Sequence, residues 1–136
     1  MGPHVNAYKK NQINTTSNEN LVLMLYDGAR KFINRGVKSI REGDIEEANN
    51  SLLRAQNIIS ELMAGINFEA GEIARQLYTL YEYMYFKLVQ ANIKKDPHDC
   101  EEVLAMVEEL RTVWVQASKS RYAPVENKTE KNLKIS

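Results

Sequence analysis

The sequence predicts an all-α protein: an antiparallel up-down-up-down four-helix bundle with flexible N- and C-terminal segments. Residue usage is the first reason, because Leu, Ala, Glu, Lys, Met and Gln are abundant and none of the three prolines interrupts a stretch with helical period. Apolar residues also recur at spacings of three and four, as on one face of a helix. The one crowded aromatic stretch, LYTLYEYMYFKLV, is too long for a strand and lacks turn residues.

Size and charge limit the classes of function. A chain of 136 residues can bury the core of one domain. Its 18 basic residues balance its 18 acidic ones, so no net field attracts nucleic acid or anionic lipid. The single cysteine, Cys100, excludes an internal disulfide and fits a reducing compartment. There is neither an apolar run long enough to cross a membrane nor a leader, so we expect a cytoplasmic protein.

Capping signals mark the first two helices. The first helix should begin at TTSNEN, with Ser17 as a candidate N-cap, and run to about Glu42. Gly43 then supplies a helix stop, and Asp44 with Glu47 caps the second helix. Because the loop is so short, the second helix must run back antiparallel to the first.

The second half of the chain repeats this arrangement. Residues 65–71 form a turn region, and a third helix follows over residues 72–95. Asp96 caps the fourth helix, with Pro97 at its first position, where the missing N–H costs nothing. This helix should run to about Ser118.

Three segments follow from these boundaries. Residues 1–16 are polar and weakly patterned, and we expect them to be conditionally ordered. Residues 17–118 form the four-helix bundle. Residues 119–136 form a polar tail that we expect to be disordered.

Each helix carries an apolar stripe that would face the interior of the bundle. In chain order the stripes are Leu21, Leu25, Ala29, Phe32, Gly36 and Ile40; Ala48, Leu52, Ala55, Ile59 and Leu62; Ile73, Leu77, Leu80, Met84 and Leu88; and Cys100, Val103, Val107, Leu110 and Trp114.

Further apolar residues lie off these stripes. Leu23 points about 160° away from Leu25, with Met24 and Tyr26 about 100° to either side. On the third helix a second stripe lies about 100° to 140° from the core. Its members are Tyr78, Tyr85 and Val89, extended inward by Tyr81, while Tyr83 and Phe86 lie on the other side.

This surplus has two interpretations. Wide apolar faces are normal in a small bundle, and some apolar residues always stay exposed. A contiguous exposed patch, by contrast, usually marks a binding surface, and tyrosine suits one because its ring buries apolar area while its hydroxyl keeps a polar partner. Such a surface would accept an amphipathic segment by burying its apolar face.

The residues give little indication of a catalytic site or a metal site. His98 has Asp96, Asp99, Cys100 and Glu101 close by, but a helix spreads these side chains around its axis, so a metal site is disfavoured. The chain has no pair of Glu-x-x-His motifs, no Gly-rich phosphate loop and no nucleophile with a matching base. We therefore expect a protein that is not an enzyme and has no cofactor, metal or catalytic residue.

Several ordered segments resemble one known family. These are AYKKNQINTTSNENLVLMLYDGARKFI, LLRAQNIISELM, LYTLYEYMYFKLVQANIKKD and VEELRTVW. Together they are similar to the flagellar secretion chaperone family, FliS, across nearly the whole bundle. The resemblance implies a cytoplasmic export chaperone that binds the disordered C-terminal segment of flagellin in a hydrophobic groove. It also implies prevention of premature polymerisation and delivery to the type III export apparatus.

The resemblance also implies partners and a site. The partners are the flagellin C-terminal segment, the cytoplasmic domain of the export gate and other flagellar assembly factors. In the family the N-terminal segment lies over the groove, and our hypothesis is that VNAY covers it as a built-in pseudo-ligand. The predicted partner-binding residues are Val5, Tyr8, Ile13, Leu23, Met24, Tyr26, Tyr78, Tyr81, Tyr85 and Val89.

Two features depart from the family. Many relatives place proline after Ser17, where this chain has Asn18, and the tail PVENKTEKNLKIS has no counterpart that can be carried over.

The alternative to a chaperone is a structural bundle whose surplus apolar faces form a homodimer.

Overall fold

A computed structural model describes the backbone of residues 18–127 and the side chains of residues 19–119. This part of the chain is built from four helices and contains no strand, which confirms the all-α fold. The helices are α1 (Asn18–Arg41), α2 (Ile45–Ala64), α3 (Glu72–Lys94) and α4 (Pro97–Asn127). A short 3-10 turn, Phe68–Ala70, lies between α2 and α3. Within the described residues, no helix is both long and apolar enough to span a membrane.

The turn between α1 and α2 has the predicted capping chemistry. Gly43 takes a φ of +79°, which favours glycine. Its N–H donates to Ile40 O at 3.1 Å, and the N–H of Asp44 donates to Ser39 O at 2.8 Å, the two bonds of a Schellman motif. The Asp44 side chain then accepts from the N–H of Glu47 at 3.1 Å. The predicted stop and cap are both confirmed.

The junction between α3 and α4 is also as predicted. Lys95 ends α3 in the left-handed region, at a φ of +53°. Asp96 accepts from the N–H of His98 at 2.9 Å, and Pro97 is the first residue of α4. The predicted end of α4 near Ser118 is wrong, because the helix continues to Asn127. Neither glycine nor proline occurs between Pro97 and Pro124, so nothing in the sequence forces an earlier stop.

The chain divides into two compact units. The larger unit, residues 25–109, contains α2, α3 and most of α1. The described part of the smaller unit comprises residues 18–24 and 110–127. In it, the indole Nε1 of Trp114 donates to the carbonyl oxygen of Glu19 at 3.2 Å.

In the larger unit, α1 packs closely against α2 at two glycines. A Cβ atom at Gly28 would lie 3.1 Å from Ile58 Cδ1, and one at Gly36 would lie 2.7 Å from Leu52 Cδ2. The absence of side chains at these positions therefore permits the close approach. The glycine with the higher number, Gly36, contacts the α2 residue with the lower number, Leu52. The two helices are therefore antiparallel.

Polar contacts define the other neighbours in this unit. Ion pairs join α1 to α4: Arg30 to Glu108 at 3.0 Å and Arg41 to Glu101 at 2.8 Å. An amide hydrogen bond of 2.8 Å joins Asn92 of α3 to Asn49 of α2. Lys87 and Lys94 of α3 approach Asp99 of α4. Each helix therefore contacts the next one around an up-down-up-down bundle.

The interior of the larger unit is apolar. Its almost fully buried hydrophobic residues are Tyr26, Ala29, Ile33, Ala48, Leu52, Ala55, Ile59, Tyr81, Met84, Leu88, Ala91, Cys100, Val103 and Val107, and the polar Ser51 is buried with them. The stripe predicted for the second helix is buried at every position.

Two other predicted stripes need correction. On α1, Leu21 is 38% exposed, and the interior is formed by Tyr26, Ala29 and Ile33. The predicted stripe followed the side of α1 that contacts α2, because Phe32 and Gly36 lie there. On α3, Ile73 is 76% exposed while its neighbour Ala74 is buried. At the first turn of a helix the apolar pattern alone does not decide between adjacent residues.

Candidate partner-binding surface

The outer side of α3 presents a continuous row of apolar side chains. Tyr78, Tyr85 and Val89 are partly exposed, Phe86 is 57% exposed and Ile93 is 78% exposed. These five residues are called the α3 strip. Its members are three, four or seven positions apart, except Tyr85 and Phe86, which are adjacent. They therefore lie along one side of the helix. Tyr78, Tyr85 and Val89 of the predicted second stripe are thus accessible at the surface.

Ring contacts extend and organise this surface. Tyr85 and Phe86 meet edge to face, with centroids 5.5 Å apart. The exposed Phe68, in the turn before α3, packs on Tyr78 at 5.3 Å in a tilted arrangement. Both geometries suit the charge distribution of aromatic rings. The surface therefore begins at the turn and continues along the helix.

An apolar residue of α2 lies beside the α3 strip. Leu53 is exposed and stands one turn beyond Asn49, which is paired with Asn92 of α3. Val89 stands about one turn before Asn92 on the antiparallel helix. Leu53 and Val89 therefore lie along the same seam between α2 and α3.

The opposite side of α3 is polar and engaged with α4. The Tyr83 hydroxyl donates to the Glu102 carboxylate, and this hydrogen bond raises the pKa of the hydroxyl. Lys87 lies 3.5 Å from both Glu102 and Asp99. Tyr83 is therefore committed to a contact within the chain, and the charged network limits the α3 strip on this side.

Tyr26 and Tyr81 occupy a different place from the one predicted. We expected both to lie off the core, but they are only 1% and 2% exposed. Their hydroxyl oxygens are 2.6 Å apart, and burial raises the pKa of each. One hydroxyl donates to the other, and this hydrogen bond lowers the cost of burying both rings in the interior. They support the fold from within and offer no free surface.

The remaining predicted site residues fall into two groups. Leu23 is partly exposed and Met24 is 67% exposed, both in the smaller unit. Val5, Tyr8 and Ile13 lie outside the described residues. Sequence reasoning missed Ile93 and Phe68, and it wrongly placed Phe86 on the other side from Tyr85, on which Phe86 packs edge to face. Ile93 follows Val89 by four residues, so extending the stripe by one turn would have found it.

The residues around His98 do not converge on a metal position. His98 is exposed, with Nδ1 3.7 Å from Glu101 Oε1. Cys100 is fully buried, and burial, with smaller effects from Asp96, Asp99 and Glu101, raises its pKa to about 12. Among residues 19–119, no three potential His, Cys, Asp or Glu ligands lie close enough together to hold a metal.

Comparison with known proteins identifies the family. The family model described as flagellar protein FliS matches residues 1–121. The flagellar secretion chaperone FliS of Bacillus subtilis (strain 168) is 42% identical over 114 residues, covering 84% of this chain and 85% of that protein. The Salmonella typhimurium chaperone of the same name is 37% identical, covering 76% and 78%. That of Vibrio cholerae is 32% identical, covering 81% and 85%. The chain therefore belongs to the FliS family of flagellar secretion chaperones.

Proposed function

We propose that this protein is a cytoplasmic export chaperone that binds the disordered C-terminal segment of flagellin on the α3 strip. It prevents premature polymerisation and delivers flagellin to the type III export apparatus, where it meets the cytoplasmic domain of the export gate. Family membership supports the general role. The observation that supports the binding mode is the row of unsealed apolar side chains on α3.

The spacing of the α3 strip suits an amphipathic helix. A helical client presents apolar residues at three- and four-residue spacing, which matches a row of the same period on the chaperone. The C-terminal segment of flagellin forms such helices in the filament, so a detached copy has an apolar face to hide. Tyrosine rings provide apolar area and leave a hydroxyl for water or for the client's backbone.

Burial supplies enough free energy for this role. Covering roughly 1,000 Å² of apolar surface contributes about 25 kcal/mol before costs. Ordering and immobilising a disordered client offsets much of that gain. The balance is tight but reversible binding, and release needs neither nucleotide nor catalysis on the chaperone.

Residues 1–16 add a regulatory element to the proposal. Val5, Tyr8 and Ile13 are apolar positions in a polar stretch, and we propose that they cover part of the surface when flagellin is absent. Such a competitor lowers apparent affinity by the fraction of time the site is covered. Deleting residues 5–8 should tighten binding of a flagellin C-terminal peptide and increase binding of an apolar dye. Unchanged values of both would contradict the competitor.

The client is tested by size-exclusion chromatography with full-length and C-terminally truncated flagellin. We expect a one-to-one complex with the full-length protein and none with the truncated one. Co-elution of truncated flagellin would contradict the assignment of the client segment. A stable dimer of the free protein with the α3 strip buried would instead favour the homodimer.

The surface is tested by one substitution made at two places. Ile93→Ser, in the α3 strip, should weaken binding of the flagellin segment about tenfold, because one large apolar side chain loses its burial. Ile45→Ser, at the exposed start of α2, is the matched control and should change affinity less than about twofold. Equal effects of the two variants in fluorescence anisotropy would contradict the α3 strip as the binding surface.

A further inference from the structure

Three cations surround one aromatic ring between α1 and α2. The Nζ of Lys31 lies 5.4 Å from the centroid of the Phe32 ring, and the Cζ atoms of Arg35 and Arg54 each lie 5.3 Å from it. Any two of these charged atoms are therefore at most about 11 Å apart. All three side chains are exposed, and they are called the cation cluster below.

The cation cluster differs from most other basic residues of the larger unit, which pair with carboxylates. Arg30 pairs with Asp27 and Glu108, and Arg41 pairs with Glu101. Among residues 19–119, no carboxylate lies within ion-pairing distance of the cation cluster. Cation–π attraction holds them near the ring, and like charges within about 11 Å of each other repel, most strongly at low salt. An anionic partner would relieve that repulsion.

A concave surface of about 500 Å³ adjoins two of these cations. Its lining residues are Arg35, Glu47, Asn50, Ser51, Leu53 and Arg54. The Glu47 carboxylate accepts from Ser51 Oγ at 3.0 Å, which fixes its position but leaves its negative charge in the lining. The surface therefore combines two guanidinium groups, which have no carboxylate partner among residues 19–119, with one carboxylate, an amide and an apolar side chain.

We propose that the cation cluster and this concave surface form a second docking site, which binds an acidic segment of a partner protein. Guanidinium groups hold carboxylates through two parallel hydrogen bonds. Charges distributed around a ring suit two carboxylates one helical turn apart better than a single compact anion. The chain's formal net charge of zero argues against a nucleic acid or a membrane, which attract through an extended positive field. This site contains no member of the α3 strip, although Leu53 lies beside both surfaces.

The probe is a labelled helical peptide of about 15 residues with glutamates at three- and four-residue spacing. Fluorescence anisotropy at about 50 mM salt measures its binding to the full chain. Arg35→Gln with Arg54→Gln should weaken binding about tenfold. Arg75→Gln with Lys94→Gln removes the same charge from exposed positions on α3 and should change it less than about twofold. Equal losses, or no binding by the unmodified protein, would overturn the proposal.

Phe32→Leu tests the role of the ring without changing charge. If Phe32 positions the cations, this variant should weaken peptide binding about threefold at equal helix content by circular dichroism. An unchanged affinity would show that the ring positions nothing and would overturn the arrangement proposed here.

Two further measurements separate this site from other surfaces. The Arg35→Gln, Arg54→Gln protein should bind the flagellin C-terminal segment as tightly as the unmodified protein, whether or not that segment proves to be the client of the α3 strip. Loss of flagellin binding would make the cation cluster part of the flagellin surface and overturn a separate site. Loss of binding to phosphatidylserine vesicles, with peptide binding unchanged, would identify a membrane contact instead and overturn the proposal.

Discussion

α2 and α3 are antiparallel neighbours of 20 and 23 residues that use their apolar side chains differently. On α2 the predicted stripe is completely buried, and the large apolar residues left exposed are Ile45 and Leu53. On α3 an inner side that is buried at Tyr81, Met84 and Leu88 coexists with the α3 strip on the outer side. The buried contacts of α2 and α3 therefore use the inner side of each helix, and large apolar side chains on the outer side of α3 stay exposed.

The largest effects should follow truncation of the inner sides. Ile59→Ala on α2 and Met84→Ala on α3 remove fully buried side chains. Each should lower the free energy of unfolding by about 2–5 kcal/mol, through lost burial and the cavity left behind. Urea unfolding measures both. If one of the two cost less than about 1 kcal/mol, the inner sides would not be equivalent and the comparison would fail.

The next largest effect concerns the hydroxyl pair of Tyr26 and Tyr81. Tyr81→Phe leaves the buried Tyr26 hydroxyl without its partner and should cost about 1–3 kcal/mol. Replacing both tyrosines by phenylalanine removes the pair without leaving an unsatisfied group, so it should cost less than either single change. A double-mutant cycle in urea measures this. Strictly additive costs would show that the two hydroxyls are not coupled.

The same pair predicts a loss of stability at alkaline pH. Burial raises the pKa of Tyr26 and Tyr81 above the ordinary value of about 10, and that of Cys100 from about 9 to about 12. As pH rises, the unfolded chain therefore releases these protons at a lower pH than the folded chain does. These groups should contribute fully to the free energy of unfolding below about pH 9, and the free energy of unfolding should fall as pH rises above it. The double phenylalanine variant should show a shallower fall. Equal slopes in urea titrations at increasing pH would contradict the assignment.

The smallest effect on stability should come from the outer side of α3. Phe86→Ser with Ile93→Ser should change the free energy of unfolding by less than about 0.5 kcal/mol, because both side chains are mostly exposed. The same variant should nevertheless weaken binding of the flagellin segment at least tenfold. A loss of stability comparable to that of Met84→Ala would show that the α3 strip belongs to the core.

Much of the fold and part of the site were predictable from local patterns. Gly43, Asp44, Asp96 and Pro97 end and begin helices through bonds to residues a few positions away, so capping rules place them correctly. The exposure of Tyr85 and Val89 follows from their angle to Met84 on one helix. The burial of Tyr81 did not follow, because its partner is 55 positions away in the sequence.

The sequence by itself determined the helices, their turns and an apolar surplus on α3, because each depends on interactions within one or two helical turns. The tertiary structure decided which side of α1 faces inward, since close packing at Gly28 and Gly36 sets the rotation of that helix. It also decided that two tyrosines are hydrogen-bonded to each other in the core and that three cations lie close to the Phe32 ring. These outcomes depend on which side chains meet across helices, and helical period carries no information about such partners.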